Sequence, residues 1–381
     1  MSFIINCYAW YFPILAFLYI ISVNKKKEHL LNDRVDSNNR NDSLSNYRVS
    51  FLFAFVVFLP MILIAGFREG INHNAFSDTG LYVSLFNSYP DSLDELDLSN
   101  SSDKMFGWKI FSVFIKQFIS TDYRYWLLII AAISGLCLLN GFRKNTDEIV
   151  FCAFMFFISY DFFAWMMNGI RQFLAVSIIF MFANILFTRK AKNIILFILL
   201  VLLLSNIHSS CLLVIPLYLI SLGKPFNRNV LIVMFLCLVS VFFLDQFTDF
   251  LDASLELTHY NGVTSQMMID DGTNPIRVIL YSFPAIIIIL FRKKIPDNIP
   301  PIISFSINAS LISMGIYVIS IFTSGIFIGR IPIYFSLFNY ILIPWEIKTF
   351  FSVQNRKLIY ILIIIVYFIY FILQVRLAGL I

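Results

Sequence analysis

Apolar runs of membrane-spanning length recur from one end of this 381-residue chain to the other. A spanning helix needs about 20 apolar residues, each adding ~1.5 Å of rise. Twelve segments approach that length: 3–22, 49–66, 124–142, 149–167, 172–188, 193–206, 211–223, 229–245, 277–292, 301–322, 331–347 and 358–375. Hydrophobic residues make up 59% of the chain and charged residues 13%. Soluble domains carry about 25% charged residues, so a soluble fold here would lack the polar surface to cover itself. The expected fold class is an all-α polytopic membrane protein with about 12 transmembrane helices, built as one transmembrane domain over 1–381.

Basic residues give the orientation. Clusters lie at Lys25–Lys27 with Arg34, Arg40 and Arg48; at Arg143-Lys144; at Arg189, Lys190 and Lys192; at Lys224 and Arg228; at Arg292–Lys294; and at Lys348 with Arg356-Lys357. Threaded through twelve crossings, all six fall on one side and hold 19 of the 28 Lys and Arg residues. The positive-inside rule makes that side cytoplasmic, with both termini outside. The net charge of +5 therefore reports topology and does not call for nucleic acid.

Two stretches need their own treatment. Residues 149–188 are too long for one crossing and break at Asn168–Gln172, so two crossings with a tight external turn fit. Residues 193–223 break at Asn206–Ser210, and each half is short of the ~30 Å hydrocarbon core. A single long span there would put three later basic clusters outside. Two short helices are expected instead, joined by a turn below the outer surface, where irregular backbone must line a cavity or be covered by protein.

Two long external loops are expected, 67–123 and 246–276. In the first, 106–120 places Lys109, Ser112, Lys116 and Ser120 at helical spacing among aromatic and aliphatic residues. At 15 residues it reads as an amphipathic helix lying in the interface. The second carries Asp249, Asp252, Glu256, His259, Tyr260, Asp270 and Asp271. The cytoplasmic segment 23–48 is rich in Asn, Asp and Ser and is expected to be flexible. The five cysteines, Cys7, Cys137, Cys152, Cys211 and Cys237, sit in apolar stretches without metal-ligand spacing and read as packing residues. No metal site or cofactor is expected, and the motifs of soluble nucleotide-, zinc- or serine-dependent enzymes are absent from the sequence.

Ionisable groups beside spans are costly, and this threading gathers them at one side of the membrane. Arg68, Asp78, Arg171, His208, Arg277 and Arg330 all fall at the outer ends of spans or just beyond, joined by Asn168 and Gln172. Each has a plain structural alternative. The arginines 68, 277 and 330 could snorkel to the interface, Asp78 could cap a helix, and His208 could be a satisfied turn residue. Together they suit a different task. Guanidinium groups pair bidentately with phosphate oxygens, and a partly desolvated histidine suits proton abstraction. These are the parts needed to move a sugar chain from a lipid diphosphate to a hydroxyl. An anion transporter could use the same arginines.

Four stretches resemble the EpsG-like family of Wzy-type polysaccharide polymerases. They are Arg68 followed by Asp78-Thr79-Gly80-Leu81-Tyr82; Asn168-Gly169-Ile170-Arg171-Gln172-Phe173-Leu174-Ala175; Asn206-Ile207-His208-Ser209-Ser210 leading to Pro216; and Gly329-Arg330 with Tyr334-Phe335. The 23–48 loop departs from the pattern as an apparent insertion. The resemblance implies a bacterial plasma (inner) membrane enzyme with its site facing the periplasm or exterior. Its partners would be polyprenyl-diphosphate-linked oligosaccharide and polysaccharide, the lipid bilayer and a chain-length regulator, with no nucleic acid. On that reading His208 takes the acceptor proton, with Asp78 the competing candidate. Arg171 and Arg330, with Arg68, would neutralise the leaving diphosphate. Asn168, Gln172, Arg277, Tyr82 and Tyr334 would contact the substrate. The alternatives are a flippase or anion carrier, and a ligase that transfers finished polymer.

Overall fold

The fold is that of a computed structural model, which describes residues 10–26, 49–69, 77–96, 106–159, 161–243 and 272–377. Every described regular element is helical and none is a strand. In chain order the helices are α1 (10–26), α2 (Phe51–Gly66), α3 (Ser77–Ser88), α4 (Phe106–Phe118), α5 (Tyr123–Asn145), α6 (Ile149–Ile158), α7 (Ile170–Phe182), α8 (Ala191–Ser205), α9 (Val214–Ser221), α10 (Arg228–Phe242), α11 (Pro275–Leu290), α12 (Pro301–Phe322), α13 (Ile333–Phe350) and α14 (Val353–Leu377). The acidic loop residues expected between 246 and 271, and most of 23–48, lie outside the described residues.

Helix ends follow local chemistry. Ser50, Asp122, Asn227 and Asn274 each cap the helix they precede, their side-chain oxygens accepting a backbone N–H of the first turn. Pro275 and Pro301 stand at first helical positions, where a missing N–H costs nothing. Arg143 and Lys144 close α5 at its negative pole.

Among the described residues, four helices are long and apolar enough to cross a membrane: Tyr123–Asn145, Ile170–Thr188, Pro301–Phe322 and Val353–Leu377. Six further apolar helices run 10–17 residues. All twelve segments named from the sequence contain helix, but their lengths are unequal. The segment 211–223 opens as a 3-10 turn, Ser209–Leu213, before the eight residues of α9. The segment 149–167 stops being α-helical at Ile158 and passes through a π-type turn, Asp161–Met166. Asp161 sits in that turn with no solvent exposure.

The chain divides into two compact units. The first comprises Met1–Asp97, Lys109–Met181 and Ile364–Ile381. Its core is aromatic. Tyr11 meets Phe157 edge-on at 4.5 Å and donates its hydroxyl to the Val57 carbonyl. Phe142 packs on Phe58 at 6.1 Å and on Phe180 at 5.0 Å. At one end, Lys26 is tied to the turn before α6 through Asp147 and, at 3.2 Å, Glu148. Burial alone would lower the Lys26 pKa, yet the two carboxylates outweigh it and hold the pKa above the ordinary lysine value.

The second unit comprises Leu98–Trp108 and Phe182–Ile363. Its centre is Tyr218, ringed by Phe197, Phe305, Phe335 and Phe338 at centroid distances of 5.8, 5.0, 5.4 and 5.9 Å. Helix α12 is enclosed on all sides, with residues 303–313 all buried. Asn308 on it donates to the carbonyls of Ser221 and Lys224 at 3.0 and 3.1 Å and accepts from Phe226 N at 3.0 Å. One amide side chain thus holds the turn between α9 and α10.

Within the first unit, α2 and α5 approach closely enough that glycine is required at both ends of their contact. A methyl group at Gly66 would fall 2.6 Å from Leu128 Cδ1, and one at Gly135 would overlap the Ile62 side chain. Small residues allow such backbone approach between membrane helices, where packing is the main attraction. Gly135→Val is expected to destabilise the protein by roughly 1–3 kcal/mol through overpacking. Thermal unfolding of the detergent-purified protein measures this, and Gly135→Ala should lose less.

Candidate functional site

The first unit assembles its polar cluster around a buried guanidinium. Arg68 follows the end of α2 and is 3% exposed. It donates to the Ala65 carbonyl and, at 3.3 Å, to Thr79 Oγ1. Burial pushes its pKa down to about 9, which leaves it charged at neutral pH. Thr79 in turn donates to the Met167 carbonyl at 2.8 Å. One residue earlier, the Asp78 backbone N–H donates to Asn168 Oδ1 at 3.0 Å. The first turn of α3 is therefore fastened on one side to Arg68 and on the other to the turn preceding α7. Snorkelling does not describe Arg68, because its head is turned into the protein.

One turn along, Tyr82 meets Arg171. The guanidinium carbon lies 5.5 Å from the ring centroid, and Nε donates to the hydroxyl at a long 3.5 Å. Tyr89, seven residues further on, is nearly buried; that burial raises its pKa and the Arg171 charge lowers it, with burial prevailing. Gln172 is 3% exposed on α7. Five of the residues singled out from the sequence, Arg68, Asp78, Tyr82, Asn168 and Arg171, are thus joined directly or through Thr79.

Helix α4 occupies most of the expected 106–120 region, and two residues of its polar stripe face the protein. Ser112 is fully buried and accepts from Trp126 Nε1 at 3.2 Å. Lys116 is 8% exposed, donates to the Tyr89 carbonyl at 2.6 Å and pairs with Asp91 at 3.0 Å. Phe106, Phe114 and Phe118 are exposed instead. Residues spaced for a solvated face serve here as internal fasteners, because Trp126 N–H and the 87–91 turn supply polar partners.

In the second unit the cluster centres on the 206–210 turn. His208 Nδ1 lies 2.8 Å from Ser210 Oγ, which lies 3.0 Å from the Tyr334 hydroxyl. The Tyr334 carbonyl accepts the hydroxyl of Tyr218, so the relay is anchored in the aromatic core. A methyl group at Gly107 would come within 2.7 Å of Asn206 Cβ, so backbone closes over the turn. The segment before α11 docks on the end of α12 through Thr273 N–H and the Ser320 carbonyl at 2.8 Å. Gly272 has a φ of +74° there, with the backbone of Ser320 and Ile321 in the space a side chain would need. Gly329 leaves room for the Thr273 side chain. Arg277 lies over the Tyr317 ring at 5.8 Å. Arg330 stands one turn before Tyr334, in the 3-10 turn Ile328–Arg330, and is partly exposed.

Sequence reasoning named Thr79, Lys116 and Ser210 without giving them the contacts they make here. Asp161 could have been flagged as an ionisable residue within an apolar run, as could Glu346, which is 3% exposed on α13. Among the described residues no group of His, Cys, Asp and Glu could hold a metal ion. The four described cysteines are buried and form no disulfide.

Apolar helices of spanning length, with polar clusters seated at helix ends and turns, define a helical membrane protein. The sequence profile of the EpsG family matches residues 51–380, and the chain belongs to that family, one of Wzy-type polysaccharide polymerases. No curated protein and no solved structure gives a significant match.

The Thr79 hydroxyl is the joint between Arg68 and the turn before α7. Thr79→Val keeps the volume, leaves a buried guanidinium short of an acceptor, and is expected to cost on the order of 1–3 kcal/mol. Thermal unfolding reads the loss, and Thr79→Ser should recover most of it.

Proposed function

We propose that this protein is a polysaccharide polymerase of the bacterial plasma membrane. It transfers a growing glycan from polyprenyl diphosphate onto a new lipid-linked repeat unit, outside the cell. The product class is O-antigen, capsule or exopolysaccharide. The observation that carries this reading is the family match over 51–380 together with the residues that the family pattern shares, which the structure builds into ordered polar clusters. Twelve crossings with the basic loops inside would set these clusters toward the periplasm or exterior.

The chemistry assigns roles by kind. The acceptor hydroxyl loses its proton as it bonds to the anomeric carbon of the donor, and the bond from that carbon to the diphosphate oxygen breaks. His208 takes the proton. The diphosphate leaves with the electron pair, and cations already in position stabilise the charge that develops on it. Arg171 and Arg330 are the cations proposed to contact it, since both are partly exposed. Arg68 is buried behind Thr79, which suits a supporting charge better than direct contact. Asn168 and Tyr82 brace the Arg171 region, and Arg277 and Gln172 are further candidate contacts. Asp78 remains the competing base. A chain-length regulator is the expected protein partner.

Complementation of a polymerase-null strain tests the reading. His208→Ala and Arg171→Ala are expected to leave single repeat units in place of the polymer ladder, with the protein present at normal level in the membrane. Normal long-chain polymer from either variant would remove that residue from the mechanism. Loss of surface units altogether would favour a flippase.

A further inference from the structure

Tyr82 lies on α3, and Tyr89 follows seven residues later, just past the end of that helix. Seven residues are close to two full turns, so Tyr89 returns to the face that carries Tyr82. Tyr82 meets the Arg171 guanidinium, whose carbon lies 5.5 Å from the ring centroid. The Arg171 charge also reaches the Tyr89 phenol. The two phenols thus share one cation.

The turn that carries Tyr89 is clamped onto α4. The buried Lys116 ammonium donates to the carbonyls of Tyr89 at 2.6 Å and Asn87 at 3.4 Å, and pairs with Asp91 at 3.0 Å. It also lies 5.4 Å from the Phe86 ring centroid, and Phe86 stacks on Trp126 at 4.9 Å. The Leu93 N–H donates to Gln117 of α4 at 3.0 Å. Tyr89 itself is 8% exposed. Its hydroxyl oxygen is buried and meets no hydrogen-bond partner among the described residues. Such a group has given up its water and gained nothing in return. Phenylalanine would fill the same space without that loss. Packing accounts for the ring and the clamp, but not for the oxygen.

We propose that the Tyr89 hydroxyl is a substrate donor that, beside Arg171, binds a phosphate oxygen of the lipid-linked diphosphate. This deepens the polymerase reading and rests on it, adding Tyr89 to the residues that touch the diphosphate. The setting gives the sign of the ligand. A phenol can donate, and the charge that reaches this one is positive. An anionic oxygen suits both groups, a cation is repelled, and a neutral sugar hydroxyl gains little from the charge. Burial outweighs Arg171 and raises the Tyr89 pKa, so the phenol keeps its hydrogen at neutral pH and remains a donor. The clamp on the turn holds that donor in place before the ligand arrives, which lowers the ordering cost of binding.

Tyr89→Phe separates a ligand donor from a structural hydroxyl. Detergent-purified wild type and variant are titrated calorimetrically with farnesyl diphosphate, a short lipid diphosphate, and separately with inorganic diphosphate and with farnesol. Thermal unfolding is measured without ligand. The variant is expected to unfold at the wild-type temperature or above, since it loses only an unsatisfied group. It should bind farnesyl diphosphate roughly 10-fold to 100-fold more weakly, the range of one hydrogen bond to a charged group. Farnesol should not distinguish the two proteins. A lower unfolding temperature with unchanged affinity would overturn the proposal, because the oxygen would then serve the fold. Wild type that binds inorganic diphosphate but not farnesyl diphosphate would overturn the assignment to a lipid-borne group. Unchanged affinity in Tyr89→Phe, with binding lost in Arg171→Ala, would remove Tyr89 and leave the polymerase reading standing. That reading fails on a different observation, normal polymer in cells that carry Arg171→Ala or His208→Ala.

Discussion

A guanidinium enclosed by apolar helices must find oxygen atoms within reach, and the way Arg68 finds them organises the first unit. Its own helix supplies one, the Ala65 carbonyl, and Thr79 of α3 supplies the other. Leaving a buried charge without such partners costs far more than the bonds themselves return. Helix α3 is therefore not a loop resting on a bundle. It is held where the charge needs it, and the same threonine reaches on to the Met167 carbonyl. Asn168 then takes the Asp78 backbone N–H, so the helix start and the turn before α7 constrain each other. The position of Tyr82 against Arg171 follows one turn later, from helix geometry alone.

The second unit solves a related problem with neutral groups. The turn at 206–210 breaks two short apolar helices, and its polar atoms would be expensive to bury alone. Ser210 and Tyr334 provide a hydroxyl chain, and the Tyr218 hydroxyl ties the chain's far end to the protein core. A hydroxyl both donates and accepts, so each oxygen of such a chain can serve two neighbours. A carboxylate in the place of Ser210 would only accept and would add a negative charge beside the ring.

Much of this was legible in the sequence because the bilayer imposes a length and a polarity on every crossing. The apolar segments all contain helix, and the break at 206–210 falls where polar residues interrupt them, whereas the break expected at 168–172 begins earlier, after Ile158, and helix resumes at Ile170. Five of the ten residues picked out for chemistry are linked to one another in the first unit, since polar residues at helix ends tend to find each other. What periodicity could not reveal was the direction in which a polar stripe faces. Lys109, Ser112, Lys116 and Ser120 share a helical spacing, and two of them, Ser112 and Lys116, are buried against Trp126 N–H and the Tyr89 carbonyl. Those partners are 14 and 27 residues away in the chain, a separation no local pattern encodes. Ser210 was hidden for another reason. A serine beside a histidine looks like ordinary turn chemistry until a tyrosine 124 residues distant is found in contact with it.

The two clusters differ in kind, one built on fixed charge and the other on neutral hydroxyls. A departing diphosphate needs fixed positive charge that does not reorganise as the bond breaks. Arg68 and Arg171 are fixed cations of that kind, one held by hydrogen bonds and the other set against a tyrosine ring, a mode open to a planar guanidinium and poorly suited to a lysine. An acceptor hydroxyl needs a base that changes charge during the step and a surrounding that changes with it. His208, the proposed base, lies beside a hydroxyl chain, whose hydrogens rotate at little cost while the oxygen positions stay fixed. Exchanging the two kinds of surroundings would defeat both tasks. A rotating hydroxyl chain beside the diphosphate would offer no lasting charge, and a clamped arginine beside the acceptor would hold its own proton and accept none.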